Sequence, residues 1–245
     1  GSWGTPADVT IVDPATSPTV VSSLTPNLTY VFRVRAVNAV GNGAWSSDMS
    51  EKAVGVPGAP TITTVTAASG QLTVNWTAPA SNGGSAITDY EVSATDGGTP
   101  VTAMTGDTSL TLDVGGLTNG ADYTVTVRAK NSDFWGAFST GSSPHTPLGV
   151  PGAPTVLTLT PTADGFTATW TDPADDGGNG DDLGNYQYRV EDVAGVVVEW
   201  TTTASSTPSY TITGLDPHDY IVKVRATNAL HTGMGTASQT GTVPT

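Results

Sequence analysis

The sequence predicts an all-β chain built from tandem, seven-stranded antiparallel β-sandwiches, with the first repeat truncated at its N-terminus. Three observations carry this reading. Apolar residues alternate with a period of two, long blocks recur about 95 residues apart, and the composition suits strands and turns. Charged residues are only 12% of the 245 positions, about half the usual share of a globular protein. Thr, Ser, Gly and Pro fill the deficit, and no stretch carries an apolar period of 3.6. Six Trp, seven Tyr, four Phe and a 37% apolar fraction are enough for several small cores.

The repeats set the organisation. "GVPGAPT" occurs at 55–61 and again at 149–155, and "RAVN", "RAKN" and "RATN" begin at Arg35, Arg128 and Arg225. "LTVNW" ends at Trp76 and "FTATW" at Trp170. The expected units are therefore a partial repeat over 1–54 and complete repeats over 55–148 and 149–245.

Each complete repeat reads as alternating strands with one buried face. In the second, Leu72, Val74 and Trp76 share a face, as do Tyr90, Val92 and Ala94, then Leu110, Leu112 and Val114, then Tyr123, Val125, Val127 and Ala129. In the third, Phe166, Ala168 and Trp170 match them, followed by Tyr186, Tyr188 and Val190, and by Tyr220, Val222, Val224 and Ala226. One-faced alternation is what two antiparallel sheets packed face to face require. In the first repeat, strands are expected around Val20–Ser23, Tyr30–Asn38 and Ala44–Val54, with Val9–Val12 as an extra one. By offset, about 38 residues of a full repeat would precede Gly1, including the core Trp.

A Trp in the second strand, Leu-Thr-x-x-x-x-Tyr at the fifth-to-sixth corner and Arg-Ala-x-Asn closing the sixth strand resemble fibronectin type III repeats. Leu24–Tyr30 and Leu117–Tyr123 resemble the family's tyrosine corner, whose phenol hydroxyl caps a backbone group. "LDPHDY" in the third repeat is one residue shorter between Leu215 and Tyr220. The resemblance covers essentially the whole chain and implies an immunoglobulin-like sandwich. It implies no chemistry.

Three surface features stand out. Phe134, Trp135 and Phe138 crowd the sixth-to-seventh loop of the second repeat, at the pole that this topology turns toward the preceding domain. Large aromatics at a loop tip point to interdomain packing or to a ligand such as a sugar ring. Asp175, Asp176, Asp181 and Asp182 lie in the acidic run "DPADDGGNGDDLGN", where hard oxygen ligands could surround calcium, although the spacing is not that of an EF-hand. A solvated Gly/Asp loop is the plainer reading. Six of the eight basic residues fall on the outward face of the sixth strands, opposite acids such as Glu91 and Glu191 on neighbouring strands, so cross-strand ion pairs are expected there. "LDV" at Leu112–Val114 belongs to a buried face and is not presentable as an adhesion tripeptide.

Charge narrows the partners. A net charge of −14 disfavours nucleic acid, which needs a concentrated basic face, and disfavours adhesion to an anionic membrane. No run of 18 apolar residues suggests membrane insertion. His145, His218 and His231 have no second ligand or base at useful spacing, and hydrolase, P-loop and zinc-protease motifs are absent. The chain therefore reads as a non-catalytic, extracellular structural or adhesive array. It would act as a semi-rigid spacer or fibre segment on a cell surface or virion, with other copies of itself or a longer array as partner. The competing reading is an accessory carbohydrate- or protein-binding module of a secreted polysaccharide-degrading enzyme. Two prolines in each "GVPGAP" linker restrict the joint under either reading. Residues 1–54 present an apolar face that needs a covering sheet, so contact with upstream residues or a second chain is expected.

Overall fold

The computed structural model describes residues 20–178, 183–233 and 235–245. The strand expected at Val9–Val12 lies outside the described residues, as do Asp181 and Asp182. Among the described residues, no helix is long and apolar enough to cross a membrane.

The first repeat supplies β1 (Thr29–Phe32), β2 (Val37–Asn38), β3 (Gly41–Asn42) and β4 (Met49–Lys52). β1 pairs with β4 and β2 with β3, all antiparallel. The single strand expected over Tyr30–Asn38 is thus broken, that over Ala44–Val54 shrinks to β4, and Val20–Ser23 is not a strand. Among the described residues no sheet faces this hairpin, and its pairing is kept only where its own bonds suffice.

The second repeat contains β5 (Thr61–Ala68), β6 (Gln71–Thr77), β7 (Ile87–Thr95), β8 (Val101–Met104), β9 (Thr111–Gly115) and β10 (Thr124–Asn131). Sheet β5-β6-β9 faces sheet β10-β7-β8. Leu72, Val74, Tyr90, Val92, Val114, Val125 and Val127 fill the space between them, and Trp76 packs on Tyr90 at 5.4 Å between ring centroids. Leu110, expected inward, precedes β9 and is 41% exposed, because Trp76 N–H binds its carbonyl and its side chain stays outside the layer.

The seventh strand of this repeat is not regular. Ser139 N–H donates to Val127 O at 2.7 Å, but the return bond runs from Val127 N–H to the Ser139 hydroxyl at 3.0 Å. Ser142 and Val125 repeat the pattern at 2.9 and 3.1 Å, and Ser46 with Val34 at 2.8 and 3.0 Å. Serine hydroxyls stand in for ladder carbonyls, so the edge is satisfied without a strand.

The third repeat has all seven strands: β11 (Thr155–Thr162), β12 (Gly165–Thr171), β13 (Leu183–Asp192), β14 (Gly195–Thr202), β15 (Ser209–Ile212), β16 (Asp219–Asn228) and β17 (Ala237–Thr242). They form sheets β11-β12-β15 and β14-β13-β16-β17. Thr236 replaces the zipper serine, and β17 pairs with β16 by an ordinary ladder. Trp170 meets Tyr186 edge-on at 4.9 Å in a core with Phe166, Ile212, Val222 and Val224.

The tyrosine corners form. Thr25 N–H donates to the Tyr30 hydroxyl at 2.8 Å, and Thr118 N–H to that of Tyr123 at 3.1 Å. In the shorter third corner the residue five before the tyrosine is Leu215, whose N–H is taken by Asp164 O. The Tyr220 hydroxyl therefore turns and donates to Asp216 O at 3.2 Å.

Candidate functional site: the joints and the aromatic loop

Each linker is paired backbone to backbone with the loop that follows the second strand of the next repeat. Gly55 N–H donates to Gly83 O at 2.7 Å and Gly58 N–H to Ser81 O at 2.8 Å. At the second joint, Gly149 N–H donates to Gly177 O at 2.5 Å and Gly152 N–H to Asp175 O at 2.8 Å. Gly83 and Gly177 hold φ of 74° and 84°, and a Cβ on either would overlap the carbonyl of Gly55 or Gly149. Glycine is required there twice over.

A buried asparagine closes each joint. Asn131 Nδ2 donates to Gly55 O at 2.8 Å and to Asn82 O at 2.9 Å, while its Oδ1 accepts from Asp133 N–H at 3.1 Å and Phe134 N–H at 2.8 Å. Asn228 does the same with Gly149 O and Asp176 O at 2.8 and 3.1 Å, and with Leu230 and His231 N–H at 3.1 and 2.8 Å. Asn38 makes the two loop bonds, from Val40 and Gly41 N–H, at 2.9 and 3.1 Å. Sequence reasoning read this residue only as part of a family pattern. The usable signal was that Asn recurs at 38, 131 and 228 while the residue before it changes from Val to Lys to Thr.

The aromatic loop touches the linker through Gly136, whose missing side chain leaves room for Pro57 O. Phe134 and Phe138 are 44% and 40% exposed, and Trp135 is half-buried. The Arg128 guanidinium lies 4.8 Å from the Trp135 ring and 4.6 Å from the Phe138 ring, and Lys130 Nζ lies 5.4 Å from Trp135. Arg128 also binds Glu91 through Nε at 2.8 Å and Nη2 at 2.5 Å. The rings are therefore engaged by cations of their own repeat. Arg35 over Trp45, at 4.3 Å, is the equivalent contact in the first repeat. In the third, Gly235 stands where Phe138 would be, and Trp200 on β14 covers Arg225 from the opposite side at 4.0 Å. The expected cross-strand pairing holds: Lys223 meets Glu191 at 2.8 Å, as Arg128 meets Glu91.

The acidic loop turns its carboxylates on its own backbone. Asp175 Oδ1 accepts from Gly177 N–H and Asp176 Oδ1 from Gly178 N–H, both at 2.8 Å. Asp172 accepts from the Tyr186 hydroxyl at 2.6 Å; burial first, and this carboxylate second, push the Tyr186 pKa up. Together with Pro173, Ala174, Gly178 and Leu183 these acids line an open hollow of about 500 Å³. Among the described residues, no three His, Asp or Glu side chains are placed to hold a metal ion. The three histidines are scattered: His145 bridges Tyr123 by backbone, His218 lies 3.8 Å from Asp192, and His231 closes the Asn228 loop.

Two facing antiparallel sheets, a tyrosine corner and a Trp-centred core define a β-sandwich module of the immunoglobulin-like kind. Residues 56–145 match the family model of the fibronectin type III domain, and the chain carries that domain. It is 37% identical to Endoglucanase B of Cellulomonas fimi over 148 residues, which are 56% of this chain and 14% of the relative. It is 33% identical to Exoglucanase B of the same species over 229 residues, 84% of this chain and 19% of the relative. The chain thus spans less than a fifth of either glucanase. Among solved structures, the FN1–FN3 domains of chicken CNTN1 align at TM-score 0.47 and 18% identity, over 91% of this chain and 77% of that one.

Proposed function

We propose that this chain is a non-catalytic spacer within a secreted polysaccharide-degrading enzyme, holding the modules on either side of it at a set distance and orientation. The joint carries the reading: each linker is bonded along its length to the repeat that follows, and a tether meant only to be flexible would have no use for those bonds. The glucanase relatives supply the setting. Glucan chains are too large to enter a cell, so an enzyme that degrades them works outside it. The adjoining partners are then the rest of the same polypeptide.

The test is to place the chain between a glucanase catalytic module and its substrate-binding module, and to compare it with a Gly/Ser linker of equal span. Equal rates on soluble glucan and a slower rate for the Gly/Ser version on insoluble cellulose are expected. Equal rates on both substrates would reject the spacer.

A second reading has one observation in its favour, the exposure of Phe134 and Phe138. If these rings bind glucan directly, the isolated chain will sediment with cellulose and the double variant Phe134→Ala, Phe138→Ala will not.

A further inference from the structure

We infer that Asn131 and Asn228 are the positioning residues that lock the angle between consecutive repeats, each reducing its joint to a single free residue. The inference rests on the spacer reading and names the device that would enforce it.

Chain bonding on either side of the first joint defines how little is left to move. Ala53 belongs to the preceding repeat, since its N–H donates to Leu28 O at 2.9 Å and its carbonyl accepts from Asn27 N–H at 2.8 Å. Gly55 belongs to the following one: its N–H goes to Gly83 O and its carbonyl to Asn131. Only Val54 lies between. At the second joint, Pro147 O accepts from Gly120 N–H at 2.8 Å, Gly149 is held at both ends, and Leu148 between them is 5% exposed.

The residue under each lock is a glycine, which has the widest backbone freedom of any residue. One bond, at its N–H, would leave its ψ free. The asparagine bond to its carbonyl removes that freedom. Asparagine alone suits the position. Its amide donates twice to the linker and loop carbonyls and accepts twice from its own loop, all on one short side chain. Aspartate could keep the accepting half and would lose the donating half. The same amide orders the turn that begins at Asp133 and Phe134, so the shape of the aromatic loop and the angle of the joint are set by one group.

The native chain has no cysteine, so labels can be placed cleanly. Spin labels at Met104→Cys and Val193→Cys, exposed at 60% and 95%, read the distance between second and third repeats. A narrow distribution is expected for the otherwise native chain. Asn228→Asp should broaden it at least twofold while the third repeat keeps a cooperative melt. Gly177→Ala, whose Cβ would overlap the Gly149 carbonyl and press on the Asn228 amide, should push Gly149 off its loop and broaden the distribution comparably, which shows that the labels report undocking. If the aspartate variant loses the melt, Asn228→Ser is measured in its place, since its shorter hydroxyl cannot reach both carbonyls. A narrow distribution in the folded Asn228 variant beside a broad one in Gly177→Ala would overturn the lock and leave the spacer standing. A broad distribution in the native chain would overturn the spacer itself, and the lock with it.

Discussion

The same strand appears in the first and second repeats in two different surroundings. Tyr30, Phe32, Val34 and Ala36 correspond to Tyr123, Val125, Val127 and Ala129, yet Val34 is 67% exposed and Val127 fully buried. The tyrosine corner, the serine bond to the strand, the asparagine turn and the arginine–aromatic contact form in both. All of these join residues within a dozen or so positions of one another. The hairpin thus carries its own local bonds, and only burial waits for the opposite sheet. The second and third repeats teach the complementary lesson. Their cores match, but the ring that covers the central arginine comes from the seventh-strand side in one and from β14 in the other. What is kept is the contact, and a ring from either side of the sixth strand can supply it.

The largest test of this comparison removes a core ring. Trp76→Ala and Trp170→Ala should each cost about 3–5 kcal/mol, as buried aromatic truncations do. Each should lower the melt of its own repeat and spare the other, read by calorimetry. Loss of both transitions from one substitution would mean that the two clusters act as one core.

A smaller substitution compares the two surroundings directly. Val127→Ala should destabilise the second repeat by about 2 kcal/mol, through lost apolar burial and the cavity left behind. Val34→Ala, on the exposed copy of the same strand, should change stability by less than about 0.5 kcal/mol. Chemical denaturation of the two variants settles it, and equal effects would show that something covers Val34 in solution.

The last comparison is read in pH and vanishes at neutrality. Burial raises the pKa of Tyr90 in the second repeat, and of Tyr186, Tyr188 and Tyr220 in the third, with Asp172, Tyr210 and Asp216 adding to the last three. A tyrosine raised in this way favours the fold while neutral. Its contribution is complete below the unfolded value of about 10 and is lost as pH rises above it. The third repeat, with three such groups against one, should unfold first as pH is raised past 10. Near-ultraviolet absorbance would follow the phenolates, and prior loss of the second repeat would contradict the assignment.

The sandwich was legible in the sequence because a strand with one dry face must alternate, and alternation is visible residue by residue. The core tryptophans and the corner tyrosines were legible for a like reason: each is a side-chain identity demanded by its place. The serine zipper was not, since a hydroxyl beside a strand looks like any surface serine until its partner N–H is known. Nor was the side from which an aromatic would cover Arg225. The joint was the least legible of all. Asn131 reaches Gly55, 76 positions away, and Asn82, 49 away, and in both it binds a backbone carbonyl. Carbonyls are the same in every residue, so nothing in the letters at 55 or 82 announces the bond. Only the folding of loop, linker and sixth strand onto one pole decides that these groups meet, and with them how one repeat is held against the next.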